Sequence, residues 1–222
     1  TFMPKPLYDE PGNGMHFHIQ LRKDGRNVFY QEGGYANLSE TALCFIGGIL
    51  AHGRSLTAFT NPSTNSYKRL LPGFEAPVKL FFGVANRSAA IRIPKYATSE
   101  EAKRIEFRTS DGSCNYYLAK SALLMAGLDC VRMGILPDQE NAFGPFDDNV
   151  FDWPEESQER LTSIPTTLEE ALQALREDHD YLLQGGVFGR ELIDSWIEEK
   201  TKEVIAVRNR PHPFEMNHYY SL

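Results

Sequence analysis

The stretch Gly12-Asn-Gly-Met-His-Phe-His-Ile-Gln-Leu-Arg22 decides the fold class that the sequence predicts. Apolar and polar residues alternate along it, which is the period of a β-strand with one buried face. His16 and His18 share the polar face with Gln20 and Arg22. Two imidazoles that point the same way can hold a metal ion or the anions that accompany one. Incidental histidines on a solvated strand are the alternative that this stretch alone leaves open.

Two later segments repeat this two-faced pattern. Arg104-Ile-Glu-Phe-Arg108 places Glu106 and Arg108 on one face, and Ala89–Ile93 places Arg92 opposite two isoleucines. If one sheet packs against helices, the polar faces of all these strands meet. Glu and His bind divalent cations, while guanidinium groups bind phosphate or carboxylate oxygens in a forked geometry. The strands therefore predict a site for a divalent cation and phosphate.

Composition sets the broad class. The chain has 222 residues, of which 41% are hydrophobic and 24% charged, as expected of one soluble globular domain with a substantial core. A net charge of -7 argues against nucleic acid as the main partner. No stretch approaches the roughly 20 apolar residues of a membrane span, so no membrane partner is expected. Scattered cysteines at 44, 114 and 130 lack paired metal spacing and indicate the reducing cytoplasm.

Helices are predicted around the sheet. Apolar residues at helical spacing, capping residues and glycines predict helices at about 40–59, 116–128, 167–183 and 191–204. The predicted fold class is α+β, with a mainly antiparallel sheet flanked by helices. Residues 61–77 are long and irregular, as lids and binding loops are, and residues 136–165 are expected to meander over the surface. The basic, aromatic tail from 208 to 222 is expected to pack against the sheet or a neighbour.

Five blocks, in order, resemble the signature blocks of bacterial type I glutamine synthetase. They are Gly12-x-Gly-Met-His16-x-His18, Asn61-Pro-x-x-Asn-Ser-Tyr-Lys-Arg69-Leu, Pro-Gly-x-Glu75-Ala-Pro, Asn86-Arg87-Ser-Ala-x-Ile-Arg92-Ile-Pro and Arg104-Ile-Glu106-x-Arg108. The resemblance extends over residues 1–222. It implies the catalytic fold shared by glutamine synthetases and guanido kinases, with residues 1–222 as a single domain. The family's N-terminal domain and its earlier metal-ligand strands are expected to precede residue 1.

The resemblance also implies an activity. The family makes glutamine from glutamate, ammonia and ATP with Mg²⁺ or Mn²⁺: ATP phosphorylates the γ-carboxylate, and ammonia then displaces phosphate. Positioning and charge neutralisation by metals and arginines fit such chemistry. The implied protein is a cytoplasmic glutamate–ammonia ligase that forms a homo-oligomer, a double-ring dodecamer in the family. Residues 1–222 alone are expected to bind metal weakly and to lack activity.

Roles follow from position in the resembling blocks. The implied metal ligands are His16 and Glu106, and the implied nucleotide-binding residues are His18, Gln20, Arg87 and Arg92. The implied glutamate-binding residues are Gly12, Arg69, Glu75 and Arg108, and the implied catalytic residues are Glu75 and Arg87. Phe151 stands where many bacterial members carry a tyrosine that is adenylylated, so that control is expected to be absent.

Departures from the family pattern keep other functions open. Pro11 replaces a common asparagine and Gln20 a common serine, which leaves a γ-glutamyl-polyamine or γ-glutamyl-monoamine synthetase as an alternative. Glu101 falls near a nucleotide-binding lysine of the family, for which Lys95 or Lys103 could substitute.

Two alternatives belong to other classes. A non-catalytic structural relative would be expected to lose its charged site residues, because buried unpaired charges are costly once function lapses. A guanidino-kinase-like phosphotransferase would need a reactive cysteine beside the charged strands, and the sequence places none there.

Overall fold

A computed structural model of the chain describes residues 1–74, 76–134, 136–137 and 142–222. The strands within those ranges are β1 (Phe17–Ile19), β2 (Arg22–Lys23), β3 (Arg26–Asn27), β4 (Lys79–Val84), β5 (Ala89–Ile93) and β6 (Ile105–Phe107). The helices are α1 (Glu40–Ala51), α2 (Gly53–Thr60), α3 (Ser66–Arg69), α4 (Tyr116–Met133), α5 (Glu155–Glu159), α6 (Leu168–Glu177), α7 (Asp180–Leu183), α8 (Arg190–Arg208) and α9 (Pro213–Tyr219).

The main sheet has the order β1-β6-β5-β4. β6 is antiparallel to both of its neighbours, whereas β4 and β5 run parallel. β2 and β3 form a separate two-stranded ribbon at the Asp-Gly turn. These pairings confirm the predicted α+β class with a mainly antiparallel sheet.

The register of the sheet explains how its two faces differ. Phe107 pairs with Phe17 on one side and Ile91 on the other, and all of these side chains are buried against the helical core. Burying a large apolar side chain contributes about 1.5–3 kcal/mol, so this row holds the sheet on the helices. On the opposite face, Glu106 pairs with His18 and Arg92. The convergence of polar faces that the alternation predicts is confirmed.

The predicted single helix over 40–59 is wrong in one respect, because the chain bends by 76° between α1 and α2. Ser39 caps α1 as predicted, with its hydroxyl oxygen accepting from the Ala42 N–H at 3.1 Å. The bend lies at His52, whose ring bonds to carboxylates of distant helices, and Gly53 packs directly against Leu80. Within the described ranges, no single helix is long and apolar enough to cross a membrane. Taken together, α1 and α2 have the length and composition of a membrane span, but the chain bends sharply between them.

Small residues bring α1 and α4 into close contact. A Cβ at Gly48 would overlap the carbonyl oxygen of Ala126, and a Cβ at Gly127 would overlap the ring of Phe45. Asn115 caps α4 by accepting from two backbone N–H groups of its first turn, at 3.0 and 3.2 Å. The helices therefore meet backbone to backbone beneath the sheet.

The C-terminal half differs from prediction at several boundaries. The expected helix over 167–183 is divided into α6 and α7, because the Asp178 carboxylate leaves the helical path to bind His52. α8 extends to Arg208, beyond the expected end near Val204. The tail contains α9 and is exposed from 208 to 222, so packing against the sheet is wrong for this segment.

Residues in the range 142–164 run along the outer edge of β4. Phe82 donates its N–H to the Phe143 carbonyl at 3.0 Å, and its own carbonyl accepts from Phe146 at 2.8 Å. Farther along, Leu80 donates to Thr162 at 2.8 Å. The meander expected at 136–165 therefore pairs with the sheet, and the irregular segment 61–77 contains the short helix α3.

Candidate active site

Glu106 is the centre of the polar face of the sheet. It is only 4% exposed, and its Oε1 atom lies 2.9 Å from His16 Nδ1 and 3.1 Å from an amino nitrogen of Arg108. Its Oε2 atom accepts from Arg92 at 2.8 Å. The structure thus brings together four of the residues that the sequence predicts for one site.

These charges hold Glu106 ionised. Burial alone would raise the pKa of its carboxyl, but the Arg92 hydrogen bond and the charges of Arg108, Arg92 and His16 lower it overall. Conversely, burial and the Arg108 charge lower the pKa of His16 more than Glu106 raises it. At neutral pH the site therefore presents a neutral imidazole against a carboxylate, the protonation states in which both bind metals.

The residues fit part of a divalent cation site. Carboxylate oxygen with imidazole nitrogen is a donor pair compatible with Mn²⁺ or Mg²⁺. Among the described residues, no group of three or more His, Cys, Asp or Glu side chains could hold a metal. A cation held by His16 and Glu106 would therefore need further ligands beyond this pair.

The arginines retain hydrogen-bonding capacity for an anion. The Nε atoms of Arg92 and Arg108 are buried, and neither has a hydrogen-bond partner within the described part of the chain. An unsatisfied buried donor costs about 1–3 kcal/mol, and more when charged, so a bound oxyanion would be stabilised here. The arrangement suits phosphate or carboxylate oxygens.

Arg69 and Gly12 lie side by side beneath the same face. Arg69 is 6% exposed and donates to the Thr109 carbonyl at 2.7 Å and the Ser110 carbonyl at 3.1 Å. A Cβ at Gly12 would overlap the Pro4 carbonyl oxygen and, less closely, the Arg69 side chain, and one at Gly14 would overlap the Arg69 guanidinium group. Gly12 is therefore required chiefly by the close approach of the Pro4 backbone, whereas the end of the Arg69 side chain could move away from a Cβ at Gly14. The structure uses Arg69 to fasten the segment that follows β6.

Asp111 lies just after β6 and is not among the site residues that the sequence predicts. It is fully buried, and its carboxylate accepts from Asn61 Nδ2 at 3.0 Å. Burial lowers the pKa of Arg69, and the negative charge of Asp111 opposes that shift. A buried acid opposite a predicted binding arginine could have been suspected from the Ser-Asp-Gly motif beside β6, but its partners are distant in sequence.

Arg87 lies apart from the Glu106 cluster, on the exposed connection between β4 and β5. It borders a hollow of about 710 Å³ that is also lined by Gly73, Asp147 and Phe151. Gly73 comes from the segment 61–77 that was expected to act as a lid or binding loop. Glu75, for which a catalytic and glutamate-binding role is predicted, lies outside the described residues.

His18 and Gln20 are exposed on β1 and just after it, bordering a second hollow of about 340 Å³ with Tyr116 of α4. The amide oxygen of Gln20 accepts from Asn27 at 3.2 Å. Strand register places His18 in the same row as Glu106, and His18 is also among the residues that line the second hollow. The structure thus separates these two residues from Arg87.

The two lysines suggested as substitutes for a nucleotide-binding lysine differ in exposure. Lys103 is 3% exposed and donates to the backbone carbonyl of Ala36, and it lines a small hollow together with Lys95, so its part in nucleotide binding stays a prediction. Glu101 pairs with Arg22 at 2.6 Å on the surface. Lys95 is exposed and remains compatible with the suggestion.

The thiols do not form a phosphotransferase centre. All three cysteines are free, and two of them, Cys44 and Cys130, are buried in the helical layer. Burial and the nearby Asp111 raise the pKa of Cys114 to about 11, which leaves it protonated at neutral pH. The guanidino-kinase-like alternative is therefore not supported.

Comparison with known proteins identifies the family. The family model described as glutamine synthetase, catalytic domain, matches residues 1–219. The chain belongs to the glutamine synthetase catalytic-domain family. A glutamine synthetase from Pseudomonas aeruginosa is 53% identical over 222 residues, covering 100% of this chain and 46% of the relative. The chain thus spans about half the length of the curated relatives that it matches.

Solved structures of glutamine synthetases and related proteins agree with this membership. A cryoEM structure of Plasmodium falciparum glutamine synthetase superposes with a TM-score of 0.85 at 31% identity, covering 99% of this chain and 49% of that one. A structure described as apo GmaS superposes with a TM-score of 0.83 at 32% identity, covering 100% of this chain and 48% of that one. The family's catalytic fold therefore accounts for the whole described chain.

Proposed function

We propose that this chain is the C-terminal part of the catalytic domain of an ATP-dependent glutamate–ammonia ligase, which makes glutamine through a γ-glutamyl phosphate intermediate. The observation that carries the proposal is the shared carboxylate of Glu106, which contacts His16, Arg92 and Arg108 at once. A metal-binding pair next to arginines with open donors suits a reaction that transfers a phosphoryl group to a carboxylate.

The arginines divide the substrate between them in this proposal. Arg92 and Arg87 face the nucleotide phosphates, and Arg87 also neutralises charge on the transferring group. Arg108, with Arg69 and Gly12 behind it, binds the carboxylates of glutamate. The buried Nε donor of Arg108 supports this role, because it lacks a partner among the described residues.

The nucleotide and metal sites take the remaining predicted residues. His18 and Gln20 contact ATP along the exposed side of β1. His16 and Glu106 hold Mg²⁺ or Mn²⁺ together with ligands from other parts of the protein, and the ion neutralises phosphate charge when bound. Glu75 shields the intermediate from water and helps to deprotonate ammonium, as a closing lid would.

Residues 1–222 are, in this proposal, one domain of a longer protein that works in the cytoplasm as a homo-oligomer. One observation supports an assembly. The tail exposes large apolar side chains, among them Phe214, Tyr220 and Leu222, which are 62%, 80% and 97% exposed. The chain alone is expected to bind metal weakly and to make no glutamine.

A second candidate is ligation of a larger amine to glutamate. Pro11 is exposed at the entrance to the glycine segment, and Gln20 is oriented by Asn27, so both departures from the family pattern lie at the surface of the site. A non-catalytic role is disfavoured because the buried charges of Glu106 and Arg108 are retained as a matched set.

The test is a γ-glutamyl transfer assay with hydroxylamine on the complete enzyme, run with Mn²⁺ and with Mg²⁺. We expect γ-glutamyl hydroxamate with either ion, and glutamine when ammonia, glutamate and ATP are supplied. Faster product formation with a polyamine or monoamine than with ammonia would favour the second candidate. No ATP-dependent product with any amine would refute both, and glutamine formation by residues 1–222 alone would refute the proposed dependence on the rest of the protein.

A further inference from the structure

Asn86 makes an unusually complete set of hydrogen bonds beside Arg87. Its amide nitrogen donates to the Phe146 carbonyl at 2.9 Å and to the Asp148 carbonyl at 2.7 Å. Its amide oxygen accepts from the Ser88 N–H at 2.9 Å and from the Ser88 hydroxyl at 2.6 Å. All four hydrogen-bonding positions of an asparagine amide are therefore occupied. The side chain is 6% exposed, so water cannot readily replace these bonds.

The partner segment, residues 146–148, is itself fixed to the start of the same connection. The Asp147 carboxylate accepts from the Val84 N–H at 2.7 Å and from the Tyr35 hydroxyl. A Cβ at Gly83 would overlap the Phe146 carbonyl, so the segment lies directly on the β4 backbone. The connection from β4 to β5 is thus held at both ends by one segment about 60 positions later in the chain.

The connection needs this support because of its backbone. Ala85 has a φ of 57°, in the left-handed region that costs a residue with a side chain roughly 1 kcal/mol or more. Such a conformation persists only when surrounding contacts determine it. Arg87 follows Ala85 by two residues, so the course of this backbone determines where its exposed side chain begins.

We propose that Asn86 is a positioning residue that sets the direction of Arg87 by locking residues 84–88 to residues 146–148. The inference rests on the proposed function, in which Arg87 stabilises the transferring phosphoryl group. Asn86 acts through the backbone on either side of Arg87 and does not itself touch substrate. A displacement of about 1 Å at such a group can cost about 100-fold in rate, so the lock has a measurable consequence.

The experiment is a double-mutant cycle in the complete enzyme with Asn86→Asp, Arg87→Ala and the double variant. Asn86→Asp keeps the shape of the side chain and its bonds to Ser88 but removes both donated bonds. We expect kcat to fall by about 10- to 100-fold with a nearly unchanged KM for glutamate. The double variant should be no slower than Arg87→Ala alone, because displacing Arg87 and removing it both abolish the same stabilisation of the transferring group.

Matched variants separate positioning from folding. Asn86→Ala should give the same non-additive pattern without introducing a charge. Asn115→Ala removes a comparable capping amide at the start of α4, remote from this connection, and should leave kcat unchanged. If Asn86→Asp does not fold, Ser88→Ala, which removes only the hydroxyl bond, should lower kcat several-fold in the same direction and should also be non-additive with Arg87→Ala.

Losses that add independently in the double variant would overturn the positioning role, as would wild-type kcat in a folded Asn86→Asp enzyme. A wild-type enzyme that makes no product would refute the proposed function instead. The affinity of the same variants for ADP is then measured by calorimetry. Losses of ADP affinity that do not add in the double variant support the positioning role, whereas additive losses or no loss refute it.

Discussion

Replacing Glu106 by glutamine tests the centre of the site with the smallest change of shape. A glutamine side chain keeps one oxygen but turns the other into an NH₂ group, which cannot accept a hydrogen bond from Arg92 or Arg108. In the wild-type protein these arginines donate at 2.8 and 3.1 Å, and His16 lies 2.9 Å away. The variant therefore loses at least one charge-assisted bond and leaves the guanidinium groups without a counter-charge.

The expected loss of stability follows from those contacts. A hydrogen bond to a charged group contributes about 1.5–3 kcal/mol, against about 1 kcal/mol for a neutral one. One lost bond and weakened remaining bonds lower the free energy of unfolding by about 3 kcal/mol, at the lower end of the range for breaking a buried ion pair. The expected loss lies at the lower end because the Arg92 side chain is 23% exposed, so water can partly replace its bond to Glu106.

The assay is urea unfolding of residues 1–222 at pH 7, followed by circular dichroism. Glu101→Gln is the matched control, because the same chemical change then affects a carboxylate that is 78% exposed and paired with Arg22 at 2.6 Å. That control should change stability little, since surface ion pairs contribute weakly.

The pKa of Glu106 is lowered in the folded protein, so its ionised form stabilises the fold above about pH 4.3, and this stabilisation is lost as the pH falls through the folded pKa. The difference between Glu106→Gln and wild type should therefore shrink in acid. A destabilisation below about 0.5 kcal/mol at pH 7 would refute the interpretation of Glu106 as a buried counter-charge.

Three further predictions address other parts of the molecule. Burial lowers the pKa of His52, but hydrogen bonds and charges from Asp178 and Asp129 raise it overall. The free energy of unfolding of the wild-type protein should therefore fall as the pH rises above about 6.5. Asp178→Asn should make that pH dependence weaker when unfolding is measured at several pH values. Gly48→Ala should lower the free energy of unfolding by about 1–2 kcal/mol, because the added Cβ meets the Ala126 carbonyl and the better helix propensity of alanine offsets only part of that cost. The measurement is thermal unfolding, and an unchanged midpoint temperature would contradict the close contact between the helices. In the complete enzyme, Glu75→Ala should lower glutamine formation more than glutamate-dependent phosphate release, because it removes the proposed lid carboxylate but leaves the proposed phosphoryl-transfer residues in place. Equal losses measured in parallel would count against that role.

Local patterns predicted the polar row of the sheet well. Strict alternation around His18, Glu106 and Arg92 determines which way each side chain points, and a one-residue slip would have buried the charges. Period and face are encoded within a few residues of each position, so no knowledge of distant segments was needed. The α+β class followed from the same alternation and from the helical spacing elsewhere.

Features set by distant partners could not be predicted in this way. The bend at His52 depends on carboxylates 77 and 126 positions later in the chain. The hydrogen bonds of Asn86 join segments 60 and 62 positions apart. Neither residue differs locally from an ordinary helix or turn residue, so their roles become visible only when the tertiary contacts are known.

The position of β1 at the end of the sheet determines where another segment of backbone could extend the polar face. Neighbouring strands lie about 4.8 Å apart, and paired residues place their side chains on a common face. A strand that added itself to the open side of β1 would extend the row through His18, Glu106 and Arg92 by one more position. A side chain at that position would stand beside His18, two strands from Glu106 and three strands from Arg92. A second segment of backbone could therefore place its side chains on this face by ordinary pairing along an existing edge.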